Sequence, residues 1–211
     1  MKVLDLFCGA GGAAMGLHRA WPDAAITGVD IKPMPRYPFE FIQADAMYFP
    51  LEGYDFIWAS PPCQRYSVSS LNYRMAGKQY PDLLGATRDR LEECGAPYTI
   101  ENVPKAPMRA DLVLCGSQFG LEIARHRLFE CNWPVFQLLP RCAHVDDVVT
   151  VCGHGAPSWS RSRKLRGEKY WKDHEISDCK RAMGIDWMIR SELVESVPPA
   201  YSEFIARQFR S

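Results

Sequence analysis

A cysteine follows two prolines in the segment Ser60-Pro61-Pro62-Cys63-Gln64. The segment comes directly after residues 55–59, an apolar run that is typical of a buried strand. Open α/β sheets bind ligands at the carboxyl ends of their strands. A thiol held there can have a lowered pKa and attack as a thiolate. Cys63 is therefore the candidate nucleophile, whereas a buried structural cysteine is the simpler alternative that its polar setting disfavours.

Three charged residues supply groups that such a nucleophile needs. Glu101 lies near the end of another apolar run, residues 98–102. A carboxyl group emerging beside Cys63 could be held protonated and donate a hydrogen bond to a ring nitrogen. Arg125 and Arg127 stand two positions apart at the start of an apolar segment, so on an extended chain they face the same side. Together they can hold an anion or the carbonyl of a base.

A glycine-rich turn, residues 8–12, follows the first apolar run, residues 2–7. Such a turn lets a ligand approach the backbone at the start of a helix. Asp30 lies about 20 residues further on, where an acidic side chain can bind both ribose hydroxyls. Asp45 is placed to accept from an adenine amine. The pattern predicts a nucleoside-binding site. A nicotinamide oxidoreductase is an alternative on the glycine turn alone, but it leaves the Pro-Pro-Cys-Gln segment unexplained.

Short apolar runs alternate with stretches of helical periodicity along the chain. This alternation predicts an α/β fold with a doubly wound, mainly parallel sheet. The predicted strands are residues 2–7, 25–29, 41–43, 55–59, 98–102, 111–115 and 127–130. Helices are predicted after the glycine turn, over residues 82–94, and after Pro198-Pro199 near the end of the chain.

Composition narrows the class of protein. The length of 211 residues, with 47% hydrophobic and 24% charged, predicts one globular domain. The 25 basic residues are balanced by 25 acidic ones, which excludes nucleic-acid binding by bulk positive charge. No apolar run is long enough to span a membrane. The eight cysteines lack the dense spacing of a disulfide scaffold, so we expect reduced thiols in the cytoplasm.

Taken in order, these segments resemble the motifs of the DNA cytosine-C5 methyltransferase family, and the short chain resembles its phage-encoded members. The matching segments are Asp5–Gly12, Pro61–Gln64, Glu101–Val103, Arg125–Arg127 and Ser196–Pro199. The resemblance implies a Rossmann-like, doubly wound S-adenosylmethionine-dependent methyltransferase sheet with a short inserted target-recognition subdomain. We expect a catalytic and cofactor-binding domain over residues 1–131, a reduced target-recognition region over 132–177, and a C-terminal segment over 178–211 that returns to the catalytic domain.

The family's chemistry would transfer a methyl group from S-adenosyl-L-methionine to C5 of a cytosine flipped out of double-stranded DNA. The resemblance assigns the catalytic roles to Cys63, which forms a covalent bond to C6, and to Glu101, Arg125 and Arg127. It assigns the cofactor site to Asp5, Phe7, Gly9, Gly11, Gly12, Asp30, Ile31, Asp45, Ala46, Pro61, Ser196 and Val197. A monomer is expected. Methylation of transfer RNA and a non-catalytic DNA-binding role are the alternatives.

Candidate DNA contacts fall in two places. Gln64 and Ser67 belong to a polar segment whose residues 65–79 are a candidate lid over the flipped base. A basic stretch with interleaved aromatic residues suits phosphate contacts and stacking. Its candidate contacts are Arg161, Arg163, Lys164, Arg166 and Lys169.

Two Cys-x-His pairs raise the question of a metal. Cys142 and His144 form one pair, and Cys152 and His154 the other. Residues at i and i+2 of a strand face one side, so each pair could supply two ligands. The spacings differ from those of standard zinc sites, and reduced cysteines beside solvated histidines are more common. The sequence therefore predicts no metal.

Overall fold

The structure is a computed structural model that describes residues 1–144, 148–151 and 174–209. Its strands are β1 Lys2–Leu6, β2 Ala25–Asp30, β3 Glu40–Gln43, β4 Phe56–Ala59, β5 Tyr98–Asn102, β6 Leu112–Leu114 and β7 Arg127–Cys131. Its helices are α1 Gly12–Ala20, α2 Leu71–Met75, α3 Leu84–Cys94, α4 Ile176–Met183, α5 Arg190–Glu195 and α6 Pro199–Ala206. Every strand that the sequence predicted is present, with bounds that differ by at most one residue at either end.

The strands form one seven-stranded sheet in the order β3-β2-β1-β4-β5-β7-β6. The first five strands along the chain run parallel to one another. β7 is antiparallel to both of its neighbours, β5 and β6. The expected α/β fold with a mainly parallel, doubly wound sheet is confirmed. From β1 the chain first adds strands on one side, β2 and then β3, and afterwards on the other side, β4 and then β5. The boundary between β1 and β4 is therefore the position at which such sheets commonly bind ligands.

Both faces of the sheet are covered, which explains why the central strand β4 is an unbroken apolar run. In β4, Phe56 and Trp58 pack into the core on one face, while Ile57 and Ala59 pack into the core on the other. All four side chains are fully buried. The strands at the centre of the sheet therefore form a rigid frame for the loops at their carboxyl ends.

The last helix packs directly on the first. A Cβ atom on Gly16 of α1 would lie 2.0 Å from the carbonyl oxygen of Pro199, so only glycine permits this approach. The Ser202 hydroxyl donates to the carbonyl of Ala13 at 2.8 Å. Residues near the C-terminus thus lie against the helix that follows the glycine turn. No helix within the described ranges is long and apolar enough to cross a membrane.

The sequence did not indicate α2, α4 and α5. α2 and α5, with five and six residues, are too short for a clear apolar period, and α4, with eight residues, lacks the Pro-Pro start that marks α6. The basic candidate contacts at 161, 163, 164, 166 and 169 lie outside the described residues, as does the pair Cys152 and His154. Their assignments stay predictions.

Candidate active site

The Cys63 segment leaves β4 in a conformation held by its own backbone and by β5. The carbonyl oxygen of Cys63 accepts from the amides of Tyr66 and Ser67, at 2.9 and 2.8 Å. The side chain of Asn102, at the end of β5, donates to the carbonyl of Pro61 at 3.0 Å. The two prolines restrict the backbone between these contacts. Cys63 is thereby held at the carboxyl edge of the sheet, as the sequence predicted.

Glu101 and Arg127 form an ion pair at this edge. The Nε of Arg127 lies 2.8 Å from Oε1 of Glu101, and the side chains are 13% and 9% exposed. The pair forms because β5 and β7 are antiparallel neighbours in which Glu101 lies opposite Phe129. Burial raises the pKa of Glu101 above its usual value, although Arg127, Arg125 and a hydrogen bond from Ser60 act in the opposite direction. The raised pKa agrees with the expected proton-donating role.

Arg125 is oriented differently from Arg127. Its Nη2 donates to the carbonyl of Val194 at 2.6 Å, and its own carbonyl accepts from the Tyr201 hydroxyl at 2.6 Å. Its Nε is buried without a hydrogen-bond partner within the described structure. Burial lowers the pKa of Arg125 to about 9, and the positive charge of Arg127 acts in the same direction. The buried Nε is therefore a donor suited to an anion or a carbonyl.

The charges of this cluster act on the thiol of Cys63. Burial raises its pKa, and the carboxylate of Glu101 raises it further. Arg127 and Arg125 lower it, but their effect is smaller. The expectation of a lowered thiol pKa is wrong, because the sequence could not show how far Cys63 is buried, and burial is the largest cause of the raised pKa. Cys63 is therefore mainly a thiol at neutral pH.

The segment after Cys63, expected to be a polar lid, is ordered by Arg74. The guanidinium of Arg74 donates to the carbonyls of Gln64 and Ser67 at 2.7 and 2.8 Å. The Ser67 side chain caps a short 3₁₀ turn over Val68–Ser70, and α2 follows. None of the side chains in α2 is buried, and Tyr73 and Met75 are 61% and 78% exposed. The segment thus presents aromatic and apolar surface beside the Cys63 edge.

The glycine turn opens a space beside the sheet. Gly9 and Gly11 have positive φ, 49° and 82°, and Phe7 has φ 55°, a rare conformation for a side chain of that size. A Cβ atom on Gly9 would meet nothing within 4 Å, whereas one on Gly12 would lie 2.1 Å from Oγ of Ser196 and 2.3 Å from the carbonyl of Val197. The turn therefore has open space at Gly9 and a closed wall at Gly12.

The acidic residues predicted to bind a nucleoside lie beside that opening. Asp30 accepts from the amides of Gly9 and Lys32, each at 3.0 Å, and its oxygens retain lone pairs for further donors. Ile31 follows with 64% of its surface exposed, unusual for an aliphatic side chain next to a strand. Asp45 is exposed and accepts from the amide of Met47 at 2.9 Å. Ala46, by contrast, is almost fully buried.

Asp5 lies beneath the turn and has no exposed surface. One carboxylate oxygen accepts from the Tyr37 hydroxyl at 3.2 Å, and the other has no hydrogen-bond partner in the described structure. Burial raises the pKa of Asp5 to about 8, although the Tyr37 hydroxyl lowers it. Asp5 is therefore a buried support for the turn, and direct contact with a cofactor stays a prediction.

The raised pKa of Asp5 predicts a pH-dependent stability. Because the folded state prefers the protonated carboxyl, its contribution is present below the ordinary pKa of 3.8 and is lost as pH rises through about 8. Asp5→Asn should therefore raise the melting temperature relative to the native protein by more at pH 9 than at pH 5, because only part of that contribution is lost at pH 5. Thermal denaturation across this range measures the difference. Asp89→Asn, at an exposed position, is the control, and a pH-independent difference for Asp5→Asn would contradict the prediction.

Two positioning residues were not identified from the sequence. Asn102 fixes the Pro61 carbonyl, and Tyr201 fixes the Arg125 carbonyl. Asn102 was part of a recognised segment, but its role depends on the pairing of β4 with β5. For Tyr201 the sequence indicated only a position on the apolar face of a helix. Its hydroxyl contact joins residues 76 positions apart in the chain. Neither contact could be predicted from a pattern in neighbouring residues of the sequence.

No protein-family model and no curated protein sequence matches this chain. Among solved structures, an Entamoeba histolytica methyltransferase, EhMeth, is similar with a TM-score of 0.58 and 14% identity, over 97% of this chain and 96% of that one. An RNA methyltransferase from Salinibacter ruber in complex with S-adenosyl-L-homocysteine gives a TM-score of 0.37 and 15% identity over 71% and 86%. The plantazolicin methyltransferase BpumL gives a TM-score of 0.34 and 17% identity, and the match covers 49% of this chain and 39% of that protein. The full-length likeness to EhMeth shows that this chain shares the Rossmann-like α/β fold of that protein.

Proposed function

We propose that this protein transfers a methyl group from S-adenosyl-L-methionine to C5 of cytosine in double-stranded DNA. The observation that carries the proposal is the cluster at the carboxyl edge of β4, β5 and β7. There a restrained thiol, Cys63, lies within the electrostatic influence of the buried Glu101–Arg127 pair and of Arg125. A nucleophile, a proton-sharing carboxyl and a buried guanidinium are the groups that activation of a pyrimidine ring requires.

Cytosine C5 is a weak nucleophile until the ring is activated. The Cys63 sulfur would add to C6 while Glu101 protonates or hydrogen-bonds N3, which makes C5 enamine-like. Arg125 and Arg127 would hold the O2 side of the base and a nearby phosphate. After C5 has accepted the methyl group, loss of the C5 proton and cleavage of the S–C6 bond restore the aromatic ring and the thiolate. The raised pKa of Glu101 supports its role as the donor.

The opening at Gly9 fits the proposed cofactor. When bound, S-adenosyl-L-methionine supplies an electrophilic methyl group on its sulfonium. Asp30 would accept from the ribose hydroxyls, the exposed Ile31 would pack on the adenine, and Asp45 would accept from its amine. Pro61, Ser196 and Val197 would line the same site from the Cys63 segment and the C-terminal segment. The absence of any Cβ neighbour at Gly9 leaves room for the ligand to approach the backbone.

A base paired inside a duplex cannot reach a thiol at the edge of the sheet, so the target base must be flipped out at a cost of a few kcal/mol. The exposed Tyr73 and Met75 of the segment after Cys63 support contact with unstacked bases. Transfer RNA carries unpaired cytosines and is the competing substrate with the same chemistry.

Methyl transfer tests the proposal directly. Purified protein is incubated with S-adenosylmethionine carrying a labelled methyl group and with either mixed-sequence duplex DNA or total transfer RNA. We expect label in DNA, retained as 5-methylcytosine after complete digestion to nucleosides. Label only in transfer RNA would overturn the assignment of DNA and leave the ring chemistry intact. Folded protein that labels neither substrate would overturn the function. Bisulfite sequencing of the DNA product then gives the sequence context.

A further inference from the structure

A second constellation of reactive side chains includes His126, the residue between Arg125 and Arg127. Its members come from separate parts of the chain and place one possible ligand atom each within 4.8 Å of all the others. They are Cys115, His126, Cys142 and His144. We propose that these four side chains bind a structural Zn²⁺ ion. The inference does not depend on the proposed methyl transfer.

Two of the distances between sulfur and nitrogen atoms match the edges of a tetrahedral site. Zn–S and Zn–N bonds of about 2.3 and 2.0–2.1 Å give tetrahedral edges of about 3.3 to 3.8 Å. Sγ of Cys115 lies 3.3 Å from Nε2 of His144, and Sγ of Cys142 lies 3.5 Å from Nε2 of His126. The two imidazole rings meet edge to face with centroids 4.9 Å apart. Both ring nitrogens and both sulfurs thus point into one small volume.

Sheet register brings the first two ligands together. Leu114 of β6 lies opposite Arg127 of β7 in the antiparallel ladder. Cys115 follows Leu114 and His126 precedes Arg127, so the two residues are the next positions beyond the paired ends of the strands. Rigid strands therefore hold half of the ligand set in place.

The other two ligands are brought in by a hydrogen-bonded bridge. The side-chain oxygen of Gln118 accepts from the amide of Cys115 at 2.8 Å, while its side-chain nitrogen donates to the carbonyl of Pro140 at 2.8 Å. Pro140 is two residues before Cys142. One side chain thus aligns the backbones that carry both cysteines. Such outer contacts commonly orient the ligands of a metal.

Ligand chemistry favours zinc in a structural role. Two thiolates and two neutral imidazoles give a neutral site with Zn²⁺, and four protein ligands leave no open position for a substrate. Cys142 and His144 are exposed, which leaves a path for the ion to enter. Described residues between β7 and 144 form no helix or strand, so few backbone hydrogen bonds hold them. An ion would fasten this segment to the strand that begins with Arg127.

Metal analysis tests the site without any substrate. Untagged protein is produced in zinc-supplemented medium and purified under reducing conditions without chelator. We expect about one zinc ion per chain by elemental mass spectrometry. After replacement of zinc with Co²⁺, we expect the absorption spectrum of a tetrahedral site with thiolate ligands. Cys142→Ser and His144→Ala should each lose most of the metal at these exposed positions, where the substitutions disturb little packing. Cys94→Ser, at a half-buried cysteine outside the cluster, should retain it.

Stability gives a second readout. A strong chelator should lower the melting temperature of the native protein but not that of Cys142→Ser, because only the native protein has an ion to lose. Native protein without zinc and without a cobalt spectrum would overturn the proposal. Zinc that persists in both variants would assign the ion to other ligands and also overturn it, as would a Cys115–Cys142 disulfide found in freshly isolated protein.

Discussion

Replacing Cys63 with alanine is expected to lower methyl transfer to DNA by at least about 1000-fold, because the ring is activated only by a covalent bond to the thiol. The half-buried thiol carries no packing that alanine would seriously disrupt, so the melting temperature should change little. DNA containing 5-fluorocytosine should trap the native protein covalently, since fluorine at C5 cannot leave as a proton. The variant should form no such adduct.

The direction of the Cys63 pKa adds a pH dependence. Because the thiol pKa is raised by burial and by Glu101, the thiolate fraction still increases with pH through neutrality. The kcat/KM for DNA should therefore increase with pH in the range where Glu101 keeps its proton, and level off once that carboxyl ionises. Cys94→Ala is the matched control and should behave as the native protein. Methyl transfer at an undiminished rate by Cys63→Ala would contradict the assignment of the nucleophile.

Glu101→Gln is expected to produce two opposite changes at one site. The amide cannot supply a proton to N3, so methyl transfer should fall by about 100- to 10,000-fold. Removal of the negative charge also removes a cause of the raised pKa at Cys63, while the positive charges of Arg125 and Arg127 remain. The thiol pKa should then fall, and Cys63 should react faster with iodoacetamide at pH 7.

Opposite changes separate a catalytic role from a structural one. A merely destabilised site would lose methyl transfer without gaining thiol reactivity at a defined residue. Alkylation is quantified on the peptide that contains Cys63, and Glu203→Gln, in an exposed ion pair with Arg207, is the control. Transfer by Glu101→Gln within about threefold of the native rate would exclude Glu101 as the proton donor.

Much of the sheet follows from local sequence. Strands buried on both faces of a parallel sheet are mainly apolar, so β4 is visible as a continuous run, whereas β1 is interrupted by the buried Asp5 and β5 by the buried Thr99 and Glu101. The ends of these runs coincide with the ends of the strands, and the side chains just beyond them meet at one edge. For this reason Cys63, Glu101 and Asp30 could be assigned to the carboxyl edge from the sequence.

The role of each arginine required the tertiary structure. Arg125 and Arg127 were expected to act together, because an extended segment would turn both to the same side. Instead, β7 lies between β5 and β6, so Arg127 pairs with Glu101 while Arg125 reaches Val194. No pattern in neighbouring residues predicts that β7 inserts between β5 and β6. Its place depends on which edges of the sheet are free for pairing.

The sequence by itself determined the α/β fold, the strands and the groups capable of chemistry, because burial and strand-end position leave a pattern in neighbouring residues. Only the tertiary structure decided the direction of the Cys63 pKa and the grouping of Cys115 and His126 with Cys142 and His144. Burial of a thiol depends on every element packed around it. The Cys–His cluster depends on the register between β6 and β7, which joins residues that lie 11 positions apart.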